Sequence, residues 1–264
     1  MLSIKQISGE DFISQHPIYI QKYTPYTYSQ INNIFSNLNL QTTFKIIYGT
    51  QTIFSDVDDN LDYETIMLES DLTIIFLPYD KEFINNLKKN PYILQDASNE
   101  IKSDPVIIKL VCKINGYVAL RYASPELQDN PDIVSIACHQ NGYALKWASP
   151  KLKKDPDIVT IACLKDGQAL FHASNNLQKN PNIVMIACSN DGLALCYASP
   201  ELQNNKEIVY IACCQNGLAL KHASNELQDN FEIVSMSCAQ YRYAYHYASD
   251  RLKADLAILS IFGI

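Results

Sequence analysis

Positive charge is scarce in this chain. Its 264 residues hold 21 Lys and Arg against 28 Asp and Glu, a formal net charge of -7. A phosphate backbone is gripped by a basic face, so no nucleic-acid partner is expected. Long apolar runs are missing too. None approaches the roughly 18 residues that span a membrane, and no membrane partner is expected. The opening MLSIKQISGEDF is interrupted by Lys5, Glu10 and Asp11, which argues against a signal peptide. Also absent are a Walker A loop, a GxGxxG turn, an HExxH helix and a nucleophile elbow. No cofactor is expected, and the enzyme reading is disfavoured.

What remains is 47% hydrophobic and 19% charged, the balance of a globular protein rather than a disordered one. Eight Cys are present. Most of them recur at one place in an internal repeat and no export signal accompanies them, so free thiols in a reducing, intracellular and cytoplasmic setting are expected rather than a disulfide framework.

The repeat is the dominant feature. An Ala-Ser pair places Ser at 98, 124, 149, 174, 199, 224 and 249, and each Ser is followed three residues later by Ile or Leu. An Asp/Asn column runs Asp104, Asn130, Asp155, Asn180, Asn205, Asn230, Asp255, often with Pro next. That pairing reads as a helix N-cap with Pro at the first helical position. In DIVSIAC the apolar Ile133, Val134, Ile136, Ala137 and Cys138 share one arc, with Ser135 and His139 outside it. Asn-Gly then reads as a stop, Gly taking the left-handed conformation that ends a helix. YALKWA forms a second short helix with Ala144, Leu145 and Ala148 inward, and Ser149-Pro150 starts a last turn. Such a hairpin cannot bury its face alone, so units must stack.

A solenoid of about six 25-residue units is therefore expected from about 104 to 254, with a half-unit before it and a truncated helix after it. The leucine-rich template also fits the period and the Ile133, Ile136, Cys138, Asn141 spacing. Paired caps and Ala columns favour helices, since Ala is a poor strand former. The motif IACxxNGxALxxASPELQxN resembles the tandem helical repeats of the domain-of-unknown-function family 4116. The resemblance covers about two-thirds of the chain. It implies an all-helical array, a giant-virus, protist or bacterial context, and no catalytic residue.

The first eighty residues lack the repeat. LSIKQISGEDF, TTFKIIYGTQTIF and SDLTIIFLPY read as strands, and TYSQINNIFSNLNL carries Ile31, Ile34, Phe35 and Leu38 at helical spacing. FKIIYGTQTIFSD and LDYETIMLESDLTIIFL resemble segments of ubiquitin. The expected class is thus α+β: a ubiquitin-like β-grasp over 1–79 followed by an all-α array over 80–264. The resemblance implies a protein-binding module. No Gly-Gly follows Leu77, so a conjugation donor is not implied.

Three motifs invite chemistry and each has a blander reading. The Cys column (Cys112, Cys138, Cys163, Cys188, Cys213, Cys238) has members one repeat apart. Packed helices would hold these about 8–10 Å from one another, whereas a disulfide needs Cα atoms within about 7 Å. Cys there reads as a small core residue, and Cys196 and Cys214 as the more exposed thiols. His172 and His222 fall in an aromatic column with Tyr122, Trp147, Tyr197 and Tyr247, too far apart to share a metal. DVDDNLDYE places Asp58, Asn60, Asp62 and Glu69 near calcium-loop positions. Tyr63 stands where the sharp turn needs Gly, so a solvated acidic loop is the simpler account. No metal site is expected.

Function is expected in the columns that vary. Lys109, Ser135, Thr160, Met185, Tyr210 and Ser235 form one. Tyr117, Tyr143, Gln168, Leu193, Leu218 and Tyr243 form another, either core or a stripe gripping a protein or peptide. The apolar end ILSIFGI, with Leu259, Ile261 and Phe262, is a candidate for weak self-association. The expectation is a non-enzymatic protein-interaction scaffold. A virion or assembly component and a protein with a ligand or enzymatic site between two domains are the alternatives.

Overall fold

The computed structural model describes residues 82–260 with their side chains. As backbone alone it also describes Lys81 and the strands Ile4–Gln6, Pro25–Tyr26, Thr42–Tyr48, Gln51–Ser55, Ile66–Met67 and Leu72–Asp80. The chain divides into two compact units, Met1–Ile93 and Leu94–Ile264.

In the first unit, Ile4–Gln6 runs parallel to Leu72–Asp80. Thr42–Tyr48 is antiparallel to both Leu72–Asp80 and Gln51–Ser55. Pro25–Tyr26 pairs with Ile66–Met67. The expected class of α+β with a ubiquitin-like β-grasp does not stand. Residues 82–260 are 80% helical and contain no strand, and no β-grasp is shown. Alternating apolar residues mark strands, but they do not dictate how strands connect. The helix read at Ile31 to Leu38, which a β-grasp requires, lies outside the described residues, as does the acidic stretch 56–64.

The array follows the columns. Ten-residue α-helices recur at Pro131–Gln140, Pro156–Lys165, Pro181–Asn190, Lys206–Gln215 and Phe231–Gln240. The first, Pro105–Tyr122, joins two helical pieces around the non-helical Asn115. Asp104, Asn130, Asp155, Asn180, Asn205 and Asn230 accept hydrogen bonds from backbone N–H groups of the first turns, as the cap columns predict. The second segment of each later unit is a tighter 3-10 helix: Gly142–Trp147, Gly167–His172, Gly192–Tyr197, Gly217–His222 and Arg242–Tyr247. A one-turn helix closes each unit, as at Pro125–Gln128 and Leu152–Lys154. Ile133 to Cys138 is helical, which removes the leucine-rich alternative.

The core is a stack of identical layers. Ile133, Val134, Ala137, Cys138, Ala144 and Leu145 are fully buried, and so are Val159, Ala162, Cys163, Ala169 and Leu170 one unit later. Each buried Leu, Ile or Val is worth about 1.5–3 kcal/mol of transfer free energy, realised only when a neighbouring unit covers it.

Adjacent units are also joined by backbone. The amides of Ser124, Ser149, Ser174, Ser199, Ser224 and Ser249 donate to the carbonyls of Lys102, Gln128, Lys153, Gln178, Gln203 and Gln228, at 2.9–3.1 Å. The hydroxyls of Ser149, Ser224 and Ser249 donate to Asp129, Asn204 and Asp229 of the preceding unit. A column of side-chain amides completes the seam. Gln140 Oε1 accepts from Gly116 N at 2.8 Å while its Nε2 donates to the Ile114 carbonyl at 3.1 Å. Asn190 and Gln215 repeat this clamp on Gly167 and Gly192.

The glycines differ from their sequence reading. None of Gly116, Gly142, Gly167, Gly192 and Gly217 has a left-handed φ. The preceding Asn or Asp ends the helix instead, with φ between −139° and −151° from Asn141 through Asn216. Its side chain then caps the 3-10 segment, as Asp166 does by accepting from Gln168 N at 2.9 Å. Glycine is required because the next unit comes too close. A Cβ on Gly142 would lie 2.2 Å from the Ala162 carbonyl oxygen, and one on Gly167 2.4 Å from that of Ala187.

Candidate binding face

The 3-10 segments present one residue per unit to a shared face, and the last aromatic of each segment forms a ladder: Tyr122, Trp147, His172, Tyr197, His222 and Tyr247. All six are half-buried. The variable column Tyr117, Tyr143, Gln168, Leu193, Leu218, Tyr243 runs beside it. Tyr143 and Tyr243 are exposed and the other four are half-buried. The column is therefore neither pure core nor a fully solvated stripe.

The contacts between the two columns explain this. Tyr117, Tyr143 and Gln168 each lean on the ladder residue of the next unit. The Tyr117 and Trp147 rings meet edge-on with centroids 6.0 Å apart, and Tyr143 and His172 at 4.8 Å. Where Gln168 replaces Tyr, it accepts from the Tyr197 hydroxyl at 2.9 Å. Tyr117 and Tyr143 also touch each other, centroids 5.8 Å apart. Tyr117 and Trp147 are half-buried and Tyr143 is exposed, a partial exposure in which Tyr and Trp serve as anchors at interfaces.

Sequence reading missed the column between ladder and stripe: Arg121, Lys146, Phe171, Cys196, Lys221 and His246. Arg121 lies over the Tyr122 and Trp147 rings at 5.2 and 5.8 Å from their centroids. Lys146 sits 5.7 Å from the Tyr143 centroid and 5.3 Å from that of Trp147. Phe171 is 56% exposed and stacks between His172 and Tyr197. The signal was present, since these residues precede the ladder by one position, but the column mixes charge with aromatics and shows no single character.

His172 is tuned by this neighbourhood. Burial, with Lys153 and Lys146 adding positive potential and Asp166 opposing them, lowers its pKa to about 4. It is a neutral ring at physiological pH. His222 is lowered too, by burial and then by Lys221. The Trp147 Nε1 and His172 Nε2 atoms are shielded from solvent and have no hydrogen-bond partner.

The Cys column lies in the core. Cys112, Cys138, Cys163, Cys188, Cys213 and Cys238 are buried, Cys196 is half-buried and Cys214 exposed. Burial pushes the first four thiols up to about 12 and Cys213 and Cys238 to about 11. A thiol so raised is a poor nucleophile and a poor metal ligand at neutral pH, since both roles need the thiolate. Among the described residues no three His, Cys, Asp or Glu converge on a metal position.

Two shallow troughs lie along the ten-residue helices. One of about 400 Å³ is bounded by Lys113, Ser135, Ile136, His139 and Gln140. Its neighbour of about 250 Å³ borders His139, Ile161, Leu164 and Lys165. In the first variable column, Lys109 and Tyr210 are exposed while Ser135, Thr160, Met185 and Ser235 are half-buried. At the C-terminal end Leu259 is half-buried, while Ile261 and Phe262 lie outside the described residues. No helix among the described residues is long and apolar enough to cross a membrane.

Stacked units, shared caps and a seam repeated at each junction define the class: a tandem helical-repeat protein. Comparison with family models matches the domain of unknown function DUF4116 six times in overlapping register, over 80–128, 107–153, 130–178, 155–203, 180–228 and 205–253. The chain belongs to that family. Neither the curated proteins nor the solved structures yielded a match.

Proposed function

We propose that the protein is a non-enzymatic interaction scaffold whose array grips a protein or peptide partner on the face of the 3-10 segments. The tandem repeat carries the scaffold part of this reading. The partner-binding part rests on one observation: Tyr143, Phe171 and Tyr243 are exposed in register with a half-buried ladder. Solvent-facing aromatics held rigidly by their inner faces lose little entropy on binding.

A random peptide library displayed on phage and selected against the full chain tests this. Convergent sequences should be enriched and should be lost on selection against Tyr117→Ala/Tyr143→Ala. Absence of enrichment, or enrichment indifferent to that double change, overturns the reading.

A further inference from the structure

The binding face is not electrically uniform, and cations cluster around its one Trp. Arg121 and Lys146 occupy the same column one unit apart and both lie over the Trp147 ring. Lys153 Nζ donates to the Lys146 carbonyl at 2.7 Å, which brings a third cation to the same place. In the following units the column carries Phe171 and Cys196, and the caps beside it are Asp166 and Asp191. This protein is acidic as a whole, yet one end of the aromatic face is locally basic.

The pitch of the array adds a constraint. Packed helices stand about 8–10 Å apart. A polyproline II chain rises about 3.1 Å per residue and turns every three residues, so it returns to the same face after about 9 Å. Such a chain lying along the array places every third residue opposite a new unit. Proline-rich segments in this conformation also dock on grooves lined by Tyr and Trp, because their rigid rings pack flat at low entropic cost.

We infer that the face formed by Tyr117, Tyr143 and Trp147 with Arg121, Lys146 and Lys153 binds an acidic, proline-rich peptide in extended form, with a carboxylate at every third residue. This deepens the scaffold reading and rests on it. The carboxylates meet Arg121 and Lys146 in successive units, and the intervening residues pack beside Tyr117, Tyr143 and Trp147. A single-stranded nucleic acid also seeks aromatics among cations. It carries a phosphate on every nucleotide, whereas this column supplies one cation per unit, at Arg121 and Lys146.

Trp147 is the single Trp of the chain, so its fluorescence reports this face directly. The full chain is titrated with a synthetic (Glu-Pro-Pro)2 peptide, long enough to meet both units, with (Lys-Pro-Pro)2, with (Gln-Pro-Pro)2 and with a poly-uridine 6-mer. The expected result is a saturable change with the Glu peptide that weakens as salt rises. The Gln peptide should bind at least tenfold more weakly and the Lys peptide should not bind. Arg121→Gln/Lys146→Gln should bring the Glu peptide down to the Gln peptide's affinity, with the circular dichroism spectrum unchanged. Equal binding of Glu and Gln peptides overturns the acidic specificity while leaving the scaffold reading standing. Tighter binding of the oligonucleotide replaces the peptide by nucleic acid. Silence towards all four ligands overturns this inference, whereas the scaffold reading falls only if the phage selection also fails.

Discussion

The interior seams of the array and its last unit use the same columns with two changes, and those changes show what each column is for. Inside, an Asn or Asp caps the 3-10 segment and Gly follows it, with the next unit's carbonyl 2.1–2.5 Å from where a Cβ would stand. In the last unit Tyr241 occupies the cap position without a side-chain cap bond, and an exposed Arg242 stands where Gly stood. The backbone of Tyr241 is nevertheless extended like the interior caps, φ −143° and ψ 109°. The turn therefore does not need glycine. The neighbour does.

Core truncation should separate the two regions most. Leu170 is fully buried in an interior layer, and Tyr245 is its half-buried counterpart in the last unit. Leu170→Ala should cost about 2–5 kcal/mol in urea unfolding, transfer loss plus a cavity. Tyr245→Ala should cost clearly less, and equal losses would mean that the last unit is as tightly packed as the interior. Next comes the seam. Gly142→Ala forces a methyl against backbone and should destabilise by about 1–3 kcal/mol, as overpacking does, whereas Arg242→Gly should stay within about 0.5 kcal/mol. A tolerated Gly142→Ala would show that units slide apart freely.

Caps come third. Asp166→Ala removes the bond to Gln168 N and should cost about 1 kcal/mol. Tyr241→Asn, supplying the missing cap, should gain a few tenths of that by the same thermal-melt measurement. The smallest effect concerns pH. His172 is neutral in the fold, with its pKa lowered to about 4 chiefly by burial, against about 6.5 in an unfolded chain. Above about 6.5 neither state is protonated and stability does not respond to it. Between about 6.5 and 4 only the unfolded state takes up the proton, so stability falls with pH. His172→Gln should flatten that decline between pH 7 and 4.5 while leaving pH 7 stability little altered. An unchanged slope would show that the ring is protonated in the fold.

Much of the array was legible because its signals are local and repeated. Asn130 and Asp155 announce helix starts through chemistry confined to three residues, and repetition separates Ile133 or Cys163 from chance. The β-grasp expectation failed because strand patterns around Phe44 or Ile75 do not encode how the strands connect. The proposed binding face was half legible. Tyr117 and Tyr143 stood out by type, but Arg121 and Lys146 gain meaning only through the rings beneath them, which come from the adjacent unit in one case and the next residue in the other.

By itself the sequence determined the period, the caps, the inward faces of the helices and the burial of the Cys column, since all follow from the geometry of one helix and its first turn. Only the tertiary structure decided that Gly167 serves a seam rather than a turn, that Gln140 clamps the unit before it, and that Tyr143 leans on His172 while remaining exposed. Each of these depends on how close the next unit comes, a distance fixed by packing between residues 20 to 30 positions apart and written in no single stretch of the chain.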